Sequence, residues 1–200
     1  MAAITAGLAA DRPVRIVMLG DSITAGLGLP AQNALPAKLE KALKAKGIAV
    51  AVENAGVSGD TSAGGLARLD WSVGEGTDAV ILELGANDAL RGNDPQQTQK
   101  ALDRIIAHLT ERKIAVLLTG MLAPRNLGPD YAKAFDPIYP ALARAHDVVF
   151  YPFILDGVAA NPALNQGDGI HPNAAGVDVI VERLAPKVEE LVGRAKARGN

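Results

Sequence analysis

Five stretches of the chain are dominated by apolar residues: 14-VRIVML-19, 48-IAVAVENA-55, 78-DAVILEL-84, 114-IAVLLTG-120 and 147-DVVFYP-152. Several are nearly continuous Val, Ile and Leu, the composition of strands buried on both faces. Between them the apolar spacing changes to three and four. Residues 33–47 place Leu35, Leu39 and Leu43 on one side of a predicted helix, with Gly47 as its stop. Residues 95–113 open with Pro95, which suits a first helical turn, and carry Leu102, Ile105, Ile106 and Leu109 as one stripe. Residues 130–146 predict a helix interrupted at Pro137 and Pro140. Residues 174–195 predict a last helix with an irregularity at Pro186.

Strand and helix alternate throughout, which predicts parallel strands joined by crossovers. The expected fold class is α/β: a three-layer α/β/α sandwich, flavodoxin-like, with about five parallel strands. Ligands in such sheets bind beyond the carboxyl ends of the strands. Residues 13–200 are expected to form one domain. Residues 1–12 are expected to lie apart, as a native N-terminal arm or as the remnant of a signal peptide. The stretch 2-AAITAGLAA-10 is small and apolar but has no positively charged start. A processed signal implies a periplasmic or secreted protein; a native arm leaves a cytoplasmic one open.

Composition narrows the chemistry. With 48% hydrophobic and 21% charged residues, the chain has the balance of a folded globular protein, not of a disordered one. A net charge of −2 gives neither nucleic acid nor an anionic membrane surface an electrostatic hold. Aromatics at 4% are too few for base-stacking platforms. The absence of cysteine excludes disulfides, thiolate catalysis and Cys-ligated zinc. No apolar run has the length of a membrane span, so stable membrane insertion is not expected.

Four segments fall at strand ends or just ahead of helices: 20-GDSI-23, 56-GVSGDTS-62, 85-GAND-88 and 168-DGIH-171. Ser22 is either a helix N-cap or a nucleophile. His108 and His146 belong to helical stretches, whereas His171 lies in the Gly-, Asp- and Pro-rich loop 167–176, where an imidazole is free to move a proton. Asp168, three residues earlier, is either a turn residue or the carboxylate that orients the imidazole. Gly59 and Asn87 are turn residues or oxyanion donors, one through its backbone N–H and the other through its amide. Singly, each residue is ordinary turn chemistry. Together, at one edge of a sheet, they make up a nucleophile, a base, an orienting acid and an oxyanion hole. Asp21, Asp60 and Asp88 are read as turn residues and orienters, with Asp60 and Asp88 steadying the oxyanion loops; no metal site is expected.

In these four blocks the chain resembles the SGNH hydrolases, the GDSL esterase/lipase family. The stretches 58-SGDTSAGGLARL-69, 82-LELGANDALRG-92, 95-PQQTQ-99 and 168-DGIHPN-173 resemble its bacterial thioesterase I/lysophospholipase/arylesterase branch in particular. Ile23 stands where the family name has Leu, and Ala86 where that branch often has Gly; neither change removes a catalytic group. The resemblance implies hydrolysis of small-molecule esters or thioesters through an acyl-enzyme, without metal or organic cofactor. The implied triad is Ser22, Asp168 and His171, and the implied oxyanion hole is Ser22, Gly59 and Asn87. It also implies that residues 88–95 close over the acyl chain. Leu90 is then a substrate contact, and Arg91 is a surface charge or a contact to a polar head group. Met121 and Leu122 are candidates for the opposite wall. Two other readings stand beside this one. The same triad serves O-acetyl groups on carbohydrates, and a flavodoxin-like module uses the same edge to bind a ligand without catalysis. For the second, 56-GVSGDTSAGG-65 matches neither a P-loop nor a G-x-G-x-x-G turn.

Overall fold

The computed structural model describes residues 12–199. Except for Arg12, the expected N-terminal arm or signal remnant therefore lies outside the described residues. Arg12 itself forms a two-pronged ion pair with Asp78, at 2.7 Å to each carboxylate oxygen.

The chain runs β1 (Val14–Gly20), α1 (Ser22–Ala25), α2 (Leu35–Ala45), β2 (Val50–Gly56), α3 (Ser62–Ala67), α4 (Leu69–Ser72), β3 (Ala79–Glu83), α5 (Ala86–Leu90), α6 (Pro95–Glu111), β4 (Ala115–Thr119), α7 (Pro129–Phe135), α8 (Ile138–Ala145), β5 (Val149–Tyr151) and α9 (Ala174–Gly199). The strands form one parallel sheet in the order β2-β1-β3-β4-β5. Helices α2 and α9 cover one face, and α3, α6 and α8 pack on the other side. Every residue of β3 and β4 is buried, which is why those strands read as unbroken apolar runs. By contrast, β2 is an edge strand and leaves Ala51, Glu53 and Asn54 exposed.

Helices α1, α3, α4 and α5 are not visible in the apolar periodicity. They span four to six residues, too short to show a stripe, and α3 carries two glycines. The expected break at Pro137 separates α7 from α8. Pro140 causes none, because it occupies the first turn of α8, where a backbone N–H has no helical partner to lose. At Pro186, where an irregularity is expected, α9 continues as helix. Pro186 lies on the exposed side, where water can take up the carbonyl its ring displaces.

Candidate active site

From β1 the sheet grows one way to β2 and the other way to β3, β4 and β5. The crevice beyond the carboxyl ends of β1 and β3 is therefore the switch point where such sheets bind ligands. Ser22 follows β1 there, and Asn87 follows β3. Asp21, rather than Ser22, caps α1: its Oδ1 accepts the Ile23 N–H at 3.0 Å. The serine hydroxyl is thus free of capping duty, and its Oγ stands 2.8 Å from His171 Nε2. On the far side of the ring, His171 Nδ1 is 2.6 Å from Asp168 Oδ2. The other oxygen of Asp168 accepts the backbone N–H groups of Ile170 and His171, at 2.9 and 3.0 Å. The bonds from His171, backbone and ring, and then from Ile170 hold Asp168 well below the usual carboxylate range. It remains ionised wherever the imidazole needs it.

The loop bearing His171 is tied directly to the loop after α1. Gln166 Nε2 donates to the carbonyl oxygens of Leu27 and Pro172, at 2.7 and 3.0 Å. Sequence reasoning passed over Gln166, since nothing in its neighbourhood distinguishes it from a surface residue.

Gly59 adopts φ +81° as the third residue of a turn closed by Asp60 N–H on the Val57 carbonyl, a conformation that favours glycine. The N–H groups of Ser22 and Gly59 carry no hydrogen bond among the described residues. Asn87 Nδ2 donates to the Asp60 carbonyl at 2.9 Å and to Asp21 Oδ2 at 3.1 Å. Two acceptors on one side fix the amide with its nitrogen toward them. Asp60 accepts from Arg68 Nε at 2.7 Å, and Arg68 also donates to the carbonyls of Gly20 and Ala55, both at 2.9 Å. One guanidinium therefore joins the ends of β1 and β2 to the Gly59 turn. Asp88 accepts from the Ser62 hydroxyl and N–H, at 2.6 and 2.8 Å, and so fastens α5 to the start of α3.

Beside Ser22 and His171 opens a cavity of about 210 Å³, walled by Ile23, Leu90, Met121, Leu122, Phe153 and Ile170. Leu90, Met121 and Leu122 were expected there; Phe153 and Ile170 were not, because they follow β5 in a loop without periodicity. Leu90, Leu122 and Ile170 are half exposed and form an apolar rim. Arg91 is not part of the wall. Its Nη2 donates to the Gly59 carbonyl at 2.7 Å and so clamps the Gly59 turn. A larger, more open groove of about 520 Å³ lies between α3–α4 and α6, but its His108 is engaged with Asp70 at 2.7 Å and no hydroxyl nucleophile lines it.

Comparison with known proteins finds relatives along most of the chain. Residues 18–179 match the profile of the GDSL-like Lipase/Acylhydrolase family. The chain is 40% identical to Esterase TesA of Pseudomonas aeruginosa, over 88% of this chain and 89% of that one. It is 39% identical to the Thioesterase 1/protease 1/lysophospholipase L1 of Escherichia coli K12, over 88% and 84%. Among solved structures, a crystal structure of TesA superposes with a TM-score of 0.84 at 40% identity, covering 88% of this chain and 99% of that one.

Proposed function

The chain belongs to the GDSL-like lipase/acylhydrolase family and is an ester hydrolase, and from that premise we propose that Ser22, His171 and Asp168 carry out the reaction in two acyl-transfer steps. The observation that carries this reading is the line of contacts from Ser22 Oγ to His171 Nε2 and from Nδ1 to Asp168. Ser22 Oγ attacks the ester carbonyl while Nε2 takes its proton. Asp168 holds the tautomer that leaves Nε2 open and stabilises the imidazolium that forms. The new oxyanion rests on the free N–H groups of Ser22 and Gly59 and on the Asn87 amide. The imidazolium then protonates the leaving oxygen or sulfur. A water enters, gives its proton to His171 and releases the acid, and Ser22 is regenerated.

The apolar cavity supports an acyl or aryl substituent as the group recognised, in esters or in thioesters. Its volume of about 210 Å³ and its apolar walls suit a short-to-medium acyl chain or one aromatic ring. Longer chains run out over Leu90, Leu122 and Ile170.

A p-nitrophenyl ester series from acetate to palmitate tests both parts. Wild type is expected to turn over the series with its highest kcat/KM at short-to-medium length, and Ser22→Ala to be inactive. Equal rates in wild type and Ser22→Ala across the series overturn the mechanism. A steady rise to palmitate overturns the cavity argument.

A further inference from the structure

Beneath Ser22 lies a pair of carboxyls that the triad does not use. Asp21 is sealed from solvent and Glu83, the last residue of β3, is 1% exposed. The register of β1 and β3 sets Gly20 beside Glu83. A methyl group on Gly20 would stand 2.6 Å from Glu83 Oε2 and 2.1 Å from Thr24 Oγ1, so only glycine admits the carboxyl at this place. Glu83 Oε2 accepts the Asp21 N–H at 3.2 Å and the Thr24 hydroxyl at 2.8 Å. Its Oε1 is buried with no donor. An ionised carboxylate in a sealed site with one bare oxygen is costly. Burial, and after it the Asp21 charge, push Glu83 well above the usual carboxylate range. Burial also raises Asp21, to about 6, opposed by bonds from Ile23, Glu83 and Asn87 and by the nearby His171. Two adjoining carboxyls sealed from water favour holding a proton between them, and the stronger upward push falls on Glu83.

Asp21 in turn holds Asn87. Both hydrogens of the Asn87 amide are occupied at rest, one by the Asp60 carbonyl and one by Asp21 at the longer distance of 3.1 Å. An oxyanion that arrives must take a share of one of them. We propose that Asp21 and Glu83 are positioning residues for the oxyanion hole: neutral Glu83 donates its proton to the Asp21 carboxylate, and so loosens the Asp21 bond to Asn87 enough for that amide to serve the oxyanion. This rests on the reading of Asn87 as an oxyanion donor given above. When Glu83 ionises, two negative charges lie together under the site. Asp21 then grips the amide harder, and the transition state loses its donor while the ground state does not.

Several charged or titratable groups face the pair. They are His171 from the loop before α9, Arg68 between α3 and α4 through the Gly20 carbonyl, Asp88 from α5, and Tyr139 from α8, which donates to the Leu84 carbonyl at 3.0 Å. His171 is the base of the proposed triad. Burial raises Tyr139 well above its ordinary value and keeps it protonated.

The test is kcat and KM of the full chain on p-nitrophenyl butyrate from about pH 6 to about pH 10, with activity after return to neutral pH checked for reversibility. Wild-type kcat is expected to fall on the alkaline side at constant KM. Glu83→Gln keeps a neutral donor; its kcat near pH 7 stays within about threefold of wild type and its alkaline fall disappears. Glu83→Ala removes the donor and loses about tenfold or more in kcat. Thr24→Val strips a bond that favours the charged form of Glu83, so the fall moves to higher pH, a readout that survives if Glu83→Gln fails to fold. A flat wild-type profile, an alkaline fall that persists in Glu83→Gln, or an unmoved limb in Thr24→Val overturns the proposal. Asn87→Ala separates the layers. Near-normal turnover there defeats the oxyanion reading itself, whereas a crippled Asn87→Ala beside a Glu83→Gln that keeps the alkaline fall defeats only the carboxyl pair.

Discussion

On the proposed mechanism Asp168 orients the imidazole and Asn87 donates to the oxyanion, and their replacement should cost rate without costing the fold. Asp168→Asn keeps the shape but presents an amide donor to Nδ1, favouring the wrong imidazole tautomer. A drop in kcat of roughly 10⁴-fold with the fold retained is expected, and a loss below about tenfold contradicts the orienting role. Asn87→Ala removes one oxyanion donor and should lower kcat about 100–1000-fold. Steady-state kinetics on an activated ester read both. At this scale the residues with family motifs were legible, because Ser22, Gly59, Asn87, Asp168 and His171 each sit in a short turn whose residue types are visible in sequence. Their supports were less so. Asp21 looks like any turn aspartate until the register of β1 and β3 buries it against Glu83. Arg91 looks like a free cation until the Gly59 carbonyl is found 2.7 Å from it.

Among the elements, the five strands and the long helices were legible because burial on one or both faces writes itself into apolar spacing. The short helices were not, since four to six residues carry no period. For the proline in α9 the sequence shows the ring but not the solvent-facing side on which it lies. That position yields a prediction. Pro186→Ala restores the missing N–H donor and removes the clash with the preceding turn while leaving the core untouched. A gain of about 1–3 kcal/mol is expected, seen as a Tm several degrees higher in thermal unfolding. An unchanged or lowered Tm means that α9 has already adapted its geometry to the proline.

For the whole molecule, the buried acids oppose the exposed ones in their effect on stability. Glu83 and Asp21 are raised, so the folded state binds their protons more tightly than the unfolded chain does. Their contribution is present below the unfolded value and is lost as pH rises through the folded one, near 6 for Asp21 and well above the usual carboxylate range for Glu83. Asp168 is lowered, and its contribution is lost only as pH falls through its folded value. Thermal melts from pH 6 upward should therefore show wild type losing Tm more steeply than Glu83→Gln; parallel slopes contradict the assignment. The sheet order was not legible in the run of strands, because alternation fixes parallel pairing without fixing sequence in space. That order brings Ser22 and His171 together across 149 positions of chain. Hydrolytic competence is consequently a late acquisition: until synthesis has passed His171, a nascent polypeptide has the hydroxyl but no imidazole to activate it, and recovery of turnover after dilution from denaturant should report that docking event, not early collapse.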